Sequence, residues 1–518
     1  MKILFAALHG GYFRNLESVV EELARRGHHV HLVSERIESA AGGGGIVERL
    51  AASSPNITCG AVPPREPDQV TFLASKIRLG LAYLRYLEPP YNETPGLVRR
   101  AEERTPRVLV RATRSAMFAT GTARQRLARV LDALDHALPR SQVIERFLDE
   151  QRPDVALVTP LVGVVASSQL DLVRSAAARR IPIGVCVWSW DHLSSKAIIR
   201  DAPDRLFVWN ETQQAEAVAM HGLPPERVVV TGAQCFDRWF DQQPARDRGA
   251  FCRRAGLPDD RPYILWVCSA LFPGSPPEAE FVVRWIAQLR ASADPALRDA
   301  AILIRPHPSR TAEWDGVHWR TDANVALAGG NPIDAESRAD YFDALYHSAA
   351  VVGLNTSAFI EAGIVGRPVL AILPEEFHAN QEGTLHFHYL TDGGLLTTAR
   401  TLPEHARQLA GVLAGDAATV LDRQRGFVQA FVRPHGLQQA ATPVMADAVE
   451  QLPRAAEGHF RARRRSLMAS AALRLLLVLQ EMPGVKPLFL DEREVRREAA
   501  LRENRKRRRA EELARRAS

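Results

Sequence analysis

Short apolar runs alternate with helical periodicity from the first residues of the chain. Ile3 to Leu8 is apolar, His9-Gly10-Gly11 breaks it, and Leu16, Val19, Val20 and Leu23 recur at the spacing of one helix face. Gly27 ends that helix, and His28 to Ser34 resumes an extended run. Strand, turn, helix and strand in this order predict a βαβ opening and hence a parallel sheet. From about residue 65 to 150 the pattern changes to long helical repeats rich in Arg, Leu and Tyr (Leu79, Leu81, Leu84, Leu87; later Leu127, Val130, Leu131, Leu134), which predict a helical insertion. Apolar runs return at Val155 to Thr159, Ile183 to Trp188, Leu206 to Trp209 and Val228 to Thr231. They are nearly continuous rather than alternating, as parallel strands covered on both faces require.

Residues 241–262 are polar and contain three prolines, which places a domain junction there. A second α/β unit follows, with strands predicted at Ile264 to Cys268, Ala301 to Ile304, Val351 to Leu354 and Val369 to Leu373, and closing helices over 403–452. The expected organisation is therefore an α/β domain over 1–245 carrying the insertion, a second α/β domain over 260–452, and a helical tail over 455–518. A chain of 518 residues is too long for one core, which agrees with two domains.

The net charge of +6 changes this picture little, because the positive charge is concentrated in the tail, at Arg461, Arg463 to Arg465, Arg505, Lys506 and Arg507 to Arg509. The remainder is close to neutral, so no nucleic-acid partner is implied. The tail also holds an amphipathic stretch, Leu473 to Leu479, which beside clustered arginine suits an anionic membrane surface. Five scattered cysteines form no C-x-x-C pair and read as reduced core residues of a cytoplasmic protein. The opening strand is not a signal peptide, and no run of about 18 apolar residues exists to span a bilayer.

Candidate chemistry gathers where strands end, the edge at which open α/β sheets bind ligands. Arg305-Pro306-His307-Pro308 follows Ala301 to Ile304 directly, and a guanidinium and an imidazole there suit an anionic diphosphate. After Leu354, Asn355 or Thr356 is a natural cap of a helix whose exposed amides, with Ser357, favour an anion; Glu361 lies one turn further, suited to a ribose diol. Trp190, Asp191, His192 and Lys196 follow the strand ending at Trp188 and offer an aromatic wall, an acid, a base and a cation. His9, with Gly10 and Gly11, is a candidate general base at a point where a ligand can approach the backbone. In the segment Glu375 to His388, Gln381 is the first candidate to contact a sugar, and the spacing of His378, His386 and His388 matches no common metal motif. Gly42 to Gly45 reads as a flexible loop. There is no Walker A, G-x-S-x-G, H-E-x-x-H or D-x-D pattern, so a phosphate-handling site here must rely on Arg, His, Lys and helix ends, with no metal and no cofactor.

His9-Gly10-Gly11 and the unit Asn355-Thr356-Ser357 to Glu361-Ala362, followed by Gly366-Arg367-Pro368-Val369, resemble the GT-B glycosyltransferases. Arg305-Pro306-His307-Pro308 with Tyr341 to Ser348 is similar to the C-terminal domain of CDP-glycerol glycerophosphotransferases and, more distantly, UDP-sugar 2-epimerases. Ser189 to Lys196, Val208 to Glu211 and Thr231 to Asp237 resemble uncharacterised bacterial polysaccharide-type transferases. The resemblance spans roughly 1–60 and 150–450. It implies two Rossmann-like domains facing across a cleft, with a nucleotide-diphosphate sugar on the second and a saccharide or lipid-linked acceptor on the first. It further implies that Glu361 holds the ribose and that Thr356, Ser357 and Arg305 hold the phosphates. His307 would act near the leaving group, and His9 or Asp191 would serve the acceptor hydroxyl. The family's acidic-Gln pair at the sugar is replaced here by Asn380-Gln381. A glycerophosphotransferase or 2-epimerase using the same pocket is the second expectation, and a non-catalytic membrane-peripheral scaffold the third.

Overall fold

The computed structural model describes residues 1–36, 45–118, 120–161, 167–196, 198–317, 324–457, 466–501 and 503–504. Gly42 to Gly44 and the basic cluster of the tail, Arg461, Arg463 to Arg465 and Arg505 to Arg509, lie outside the described residues.

Two all-parallel sheets organise the chain. The first consists of β1 (Lys2–His9), β2 (His29–Arg36), β3 (Ile57–Ala61), β4 (Val155–Thr159), β5 (Ile183–Cys186), β6 (Arg205–Val208) and β7 (Val228–Val230), in the order β3-β2-β1-β4-β5-β6-β7. The second consists of β8 (Tyr263–Val267), β9 (Ala301–Arg305), β10 (Val325–Leu327), β11 (Ala350–Gly353), β12 (Val369–Ile372) and β13 (Thr397–Ala399), in the order β10-β9-β8-β11-β12-β13. In each sheet the chain winds outward one way and then the other from its first strand, and the crevice at that reversal is where a ligand fits. Central strands such as β4 and β8 are buried at every position, which is why their sequences are unbroken apolar runs. Strands β3, β10 and β13 gave no such signal. They are short, and β3 and β10 are partly exposed, so their sequences carry little hydrophobic pattern. Cys59, on β3, is accordingly exposed rather than in the core.

The closing helix Ala441–Glu450 belongs to the first domain, not the second. Met445, Ala446, Val449 and Leu452 pack with Ile3, Phe5, Val19 and Phe207 of the first core. Arg26 fixes the helix from outside through Asp447 at 2.6 Å and Glu450 at 3.0 Å. The second domain is thus shorter than 260–452, because residues beyond 440 bury their apolar face against the first sheet.

The insertion forms the helices Gln69–Tyr86 and Gly121–Ala137 with shorter ones between. A buried charge network anchors it to the first sheet's helices. Arg78 bridges Asp171 at 2.8 Å and Asp135 at 2.9 Å, Arg174 bridges Asp135 at 2.9 Å and Asp201 at 2.7 Å, and His136 meets Asp201 at 2.8 Å. The tail helix Leu467–Leu479 lies on this insertion. Leu473 is buried among Leu73, Ile77, Leu81 and Leu134, whereas Leu475 and Val478 remain exposed. Among the described residues no helix is long and apolar enough to cross a membrane.

Burial alone would lower the pKa of His136, but its bonds to Asp132 and Asp201 outweigh burial and push it up to about 9. A pKa raised above the unfolded value of about 6.5 contributes stability that is complete below that value and is lost as pH rises through the folded one. The thermal midpoint is therefore expected to fall more steeply between about pH 7 and about pH 10 in the wild type than in His136→Gln. Parallel curves for the two proteins would show that the imidazolium contributes nothing.

Candidate functional site

The carboxyl ends of both sheets meet at one cavity of about 800 Å³, within the range of roughly 300–1,000 Å³ typical of small-molecule sites. Six arginines and one lysine line it against two carboxylates, Asp191 and Glu361. The excess of positive charge, enclosed by apolar walls, focuses the field on an anionic ligand.

On the second domain, register brings the strand ends level: Val267 of β8 lies beside Arg305 of β9 and Gly353 of β11. Arg305 is only 5% exposed. Its guanidinium donates to Asp340 at 3.1 Å and to the Gly330 carbonyl at 3.3 Å, and lies over the Tyr341 ring at 5.1 Å. The Tyr341 hydroxyl donates to Glu361. Burial raises the Glu361 carboxyl to about 7, against the lowering influence of the Tyr341 bond and of Arg238 and Arg14. Arg14 follows β1 and Arg238 follows β7, so both cations come from the first domain and face the second domain's carboxylate.

His307 also lines the cavity. Burial and Arg310 lower its pKa, so the ring is neutral near pH 7. The Ser309 N–H donates to His307 Nδ1 at 3.2 Å, and in a neutral ring this leaves the hydrogen on Nε2. His307 is thereby set as a donor at Nε2. Asn355, Thr356, Ser357 and Glu361 all line the cavity, and of the two expected caps Thr356, not Asn355, meets the helix amides. The helix spans Ala358–Ile364 with Ser357 at its N-cap position, and the Ser357 side chain makes no cap bond. Asn355 instead donates to the Asn380 carbonyl at 2.5 Å, and the Ala358 N–H donates to Thr356 Oγ1 at 3.3 Å.

On the first domain, Trp190, Asp191 and Lys196 face the cavity. Lys196 lies over the Trp188 ring at 4.9 Å and pairs with Asp191 at 2.7 Å. Burial would raise the Asp191 pKa, but Lys196, His386 and hydrogen bonds outweigh it and hold the carboxyl well below the usual range. A carboxylate held so firmly ionised is a weak general base. Asp191 also accepts from the Ser189 hydroxyl, so both Lys196 and Ser189 engage it. His386 comes from the second domain, packing edge-on against Trp190 at 4.7 Å.

Five expected site residues stand away from the cavity lining, one of them His192, which is fully buried and donates from Nε2 to the Pro160 carbonyl. His9 lies against Tyr12 with ring centroids 4.1 Å apart, and Tyr12 meets Trp188 edge-on at 4.8 Å; of these three rings only Trp188 lines the cavity. Gly10 and Gly11 form the start of the turn Gly10–Asn15. Gln381 is fully buried and donates to the Leu354 and Ile372 carbonyls at 2.9 and 2.7 Å, tying two strand ends together. Conversely, Arg14, Arg100, Arg104, Arg238 and Arg338 line the cavity without having been singled out. They lie on helices and turns rather than directly after apolar runs, so strand-end reasoning passes over them. Among the described residues no group of three or more His, Cys, Asp or Glu is placed to hold a metal ion.

No protein-family model and no curated protein sequence matches the chain. Solved structures do. A glycosyltransferase from Rickettsia africae ESF-5 is 9% identical, covering 88% of this chain and 99% of its own, with a TM-score of 0.50. A putative UDP-N-acetylglucosamine 2-epimerase from Listeria monocytogenes is 13% identical over 90% of this chain and 98% of its own, at 0.48. WaaG, a glycosyltransferase involved in lipopolysaccharide biosynthesis, is 12% identical over 86% and 99%, at 0.45. At these identities the likeness is one of fold: the chain has the GT-B arrangement of two facing Rossmann-like domains.

Gly329 tests how tightly Arg305 is held. Its φ is +104°, and a Cβ there would lie 2.2 Å from the Arg305 guanidinium carbon. Gly329→Ala is expected to destabilise by about 1–3 kcal/mol, as overpacking does. Gly330→Ala, where a Cβ meets nothing within 4 Å, is expected to have little effect. Equal thermal midpoints for the two variants would show that neither the positive φ of Gly329 nor the Arg305 guanidinium resists a side chain there.

Proposed function

We propose that the chain is a glycosyltransferase that moves a sugar from a nucleoside-diphosphate donor to an acceptor hydroxyl, meeting the diphosphate charge with side-chain cations and no resident metal. The observation that carries this reading is the chain of contacts Arg305–Tyr341–Glu361 at the ligand edge of the second sheet. Glu361, when ionised, accepts from a ribose diol. Arg305, with Arg14 and Arg238 from the facing domain, neutralises the phosphates, and charge placed in advance of the reaction stabilises the departing nucleotide. The His307 Nε2–H donates to a leaving phosphate oxygen. Trp190 and Lys196 border the side of the cavity left for the acceptor.

Calorimetric titration with UDP and CDP tests the assignment and separates a UDP-linked donor from a CDP-linked one. Glu361→Ala and Arg305→Ala are each expected to weaken the preferred nucleotide about 10- to 100-fold, the value of a hydrogen bond to a charged group. Undiminished affinity in both variants refutes the donor site.

The titration of Glu361 gives a second check. Its folded pKa of about 7 makes the carboxyl increasingly ionised, and so a better acceptor, as pH rises through that value. Nucleotide affinity is expected to rise from about pH 6 to about pH 8 in the wild type by more than in Glu361→Gln, which cannot ionise. An identical pH dependence would remove Glu361 from the nucleotide contact.

A further inference from the structure

The cleft holds more positive charge than one diphosphate requires, and the charge falls into two groups. Arg14, Arg238 and Arg305 surround Glu361. A separate group, Arg100, Arg104 and Lys196, lies at the end of the cavity formed by the insertion. Arg100 is on the helix Pro95–Glu102 and donates to the Ser195 carbonyl. Its Nε is buried without a hydrogen-bond partner, and among the described residues no carboxylate pairs with it. The carboxylate that is present, Asp191, is taken up by Lys196 and Ser189. Burial, then Arg493 and Arg100, lower the Arg104 pKa, and they outweigh the opposing influence of Glu103.

This end of the cleft is built rather than incidental. The helix Pro95–Glu102 reaches across to the second domain, where a Cβ on Gly96 would lie 3.1 Å from the Phe272 ring. The Phe272 N–H in turn donates to Asn380 at 2.6 Å. The insertion thus holds its arginines against a wall braced from both domains. Arg100, half-buried and with no carboxylate paired to it among the described residues, is costly to hold there, and an arriving anion offsets that cost.

We infer that the insertion end of the cleft is a second anion subsite, which recognises a phosphate or carboxylate carried by the acceptor. The inference rests on the reading of the cleft as a donor and acceptor site. Guanidinium groups bind either anion in a bidentate manner, so phosphate and carboxylate share the chemistry.

The test is calorimetric titration of the full chain, saturated with UDP, by glucose 6-phosphate, glucuronate and glucose. At least one of the two anionic sugars is expected to bind and glucose to fail, and the better anion identifies which group the acceptor carries. Arg104→Gln is expected to weaken that binding about tenfold or more, Arg104→Lys to retain part of it, and UDP affinity to stay unchanged in both, which also reports intact folding. Absence of binding by both anions, undiminished binding in Arg104→Gln, or displacement of UDP by the anionic sugar overturns the subsite. If UDP itself does not bind, the donor reading fails, and the same titrations on the free chain decide the subsite by the same criteria.

Discussion

The buried carboxyl of Glu361 sets the terms for the rest of the cleft. A carboxylate with most of its water removed is expensive to ionise unless donors and cations face it. Here the Tyr341 hydroxyl bonds it, Arg305 lies over that ring, and Arg14 and Arg238 approach from the opposite domain. Both sheets must therefore end at one place. The strand register that levels Val267, Arg305 and Gly353 accomplishes this on one side, and the turns after β1 and β7 accomplish it on the other.

Most of the fold was legible because parallel strands covered on both faces must be apolar throughout. Val155–Thr159 was read to its exact ends, and β8, β9, β11 and β12 to within a residue or so. The exceptions have a common cause. A sheet-edge strand is half in water and need not be apolar, so Ile57–Ala61 and Val325–Leu327 left no mark on the sequence. The destination of the helix Ala441–Glu450 was equally hidden, because an apolar stripe shows that a helix packs but not against which sheet.

The site divides along the same line. Residues singled out at or after strand ends, such as Arg305, His307, Glu361 and Asp191, reach the cavity. His9 obeys the same rule yet does not line the cavity; its ring packs against Tyr12, a contact with no signature in spacing. Gln381 looked like a ligand contact because it is polar and lies beyond a strand, but two unpaired carbonyls inside the domain claim it. Asp191 is ion-paired with Lys196, and no motif records the lysine five residues on as its partner.

The polypeptide passes between the two domains twice, once before β8 and again just after Phe431, and Asp237 clasps the two passages together. It receives Arg433 at 3.1 Å, the Ala441 N–H at 3.0 Å and the Thr442 N–H at 2.7 Å. The two linkers are thereby held at one carboxylate, beside a core in which Phe236 and Trp239 of the first domain pack with Phe342 of the second.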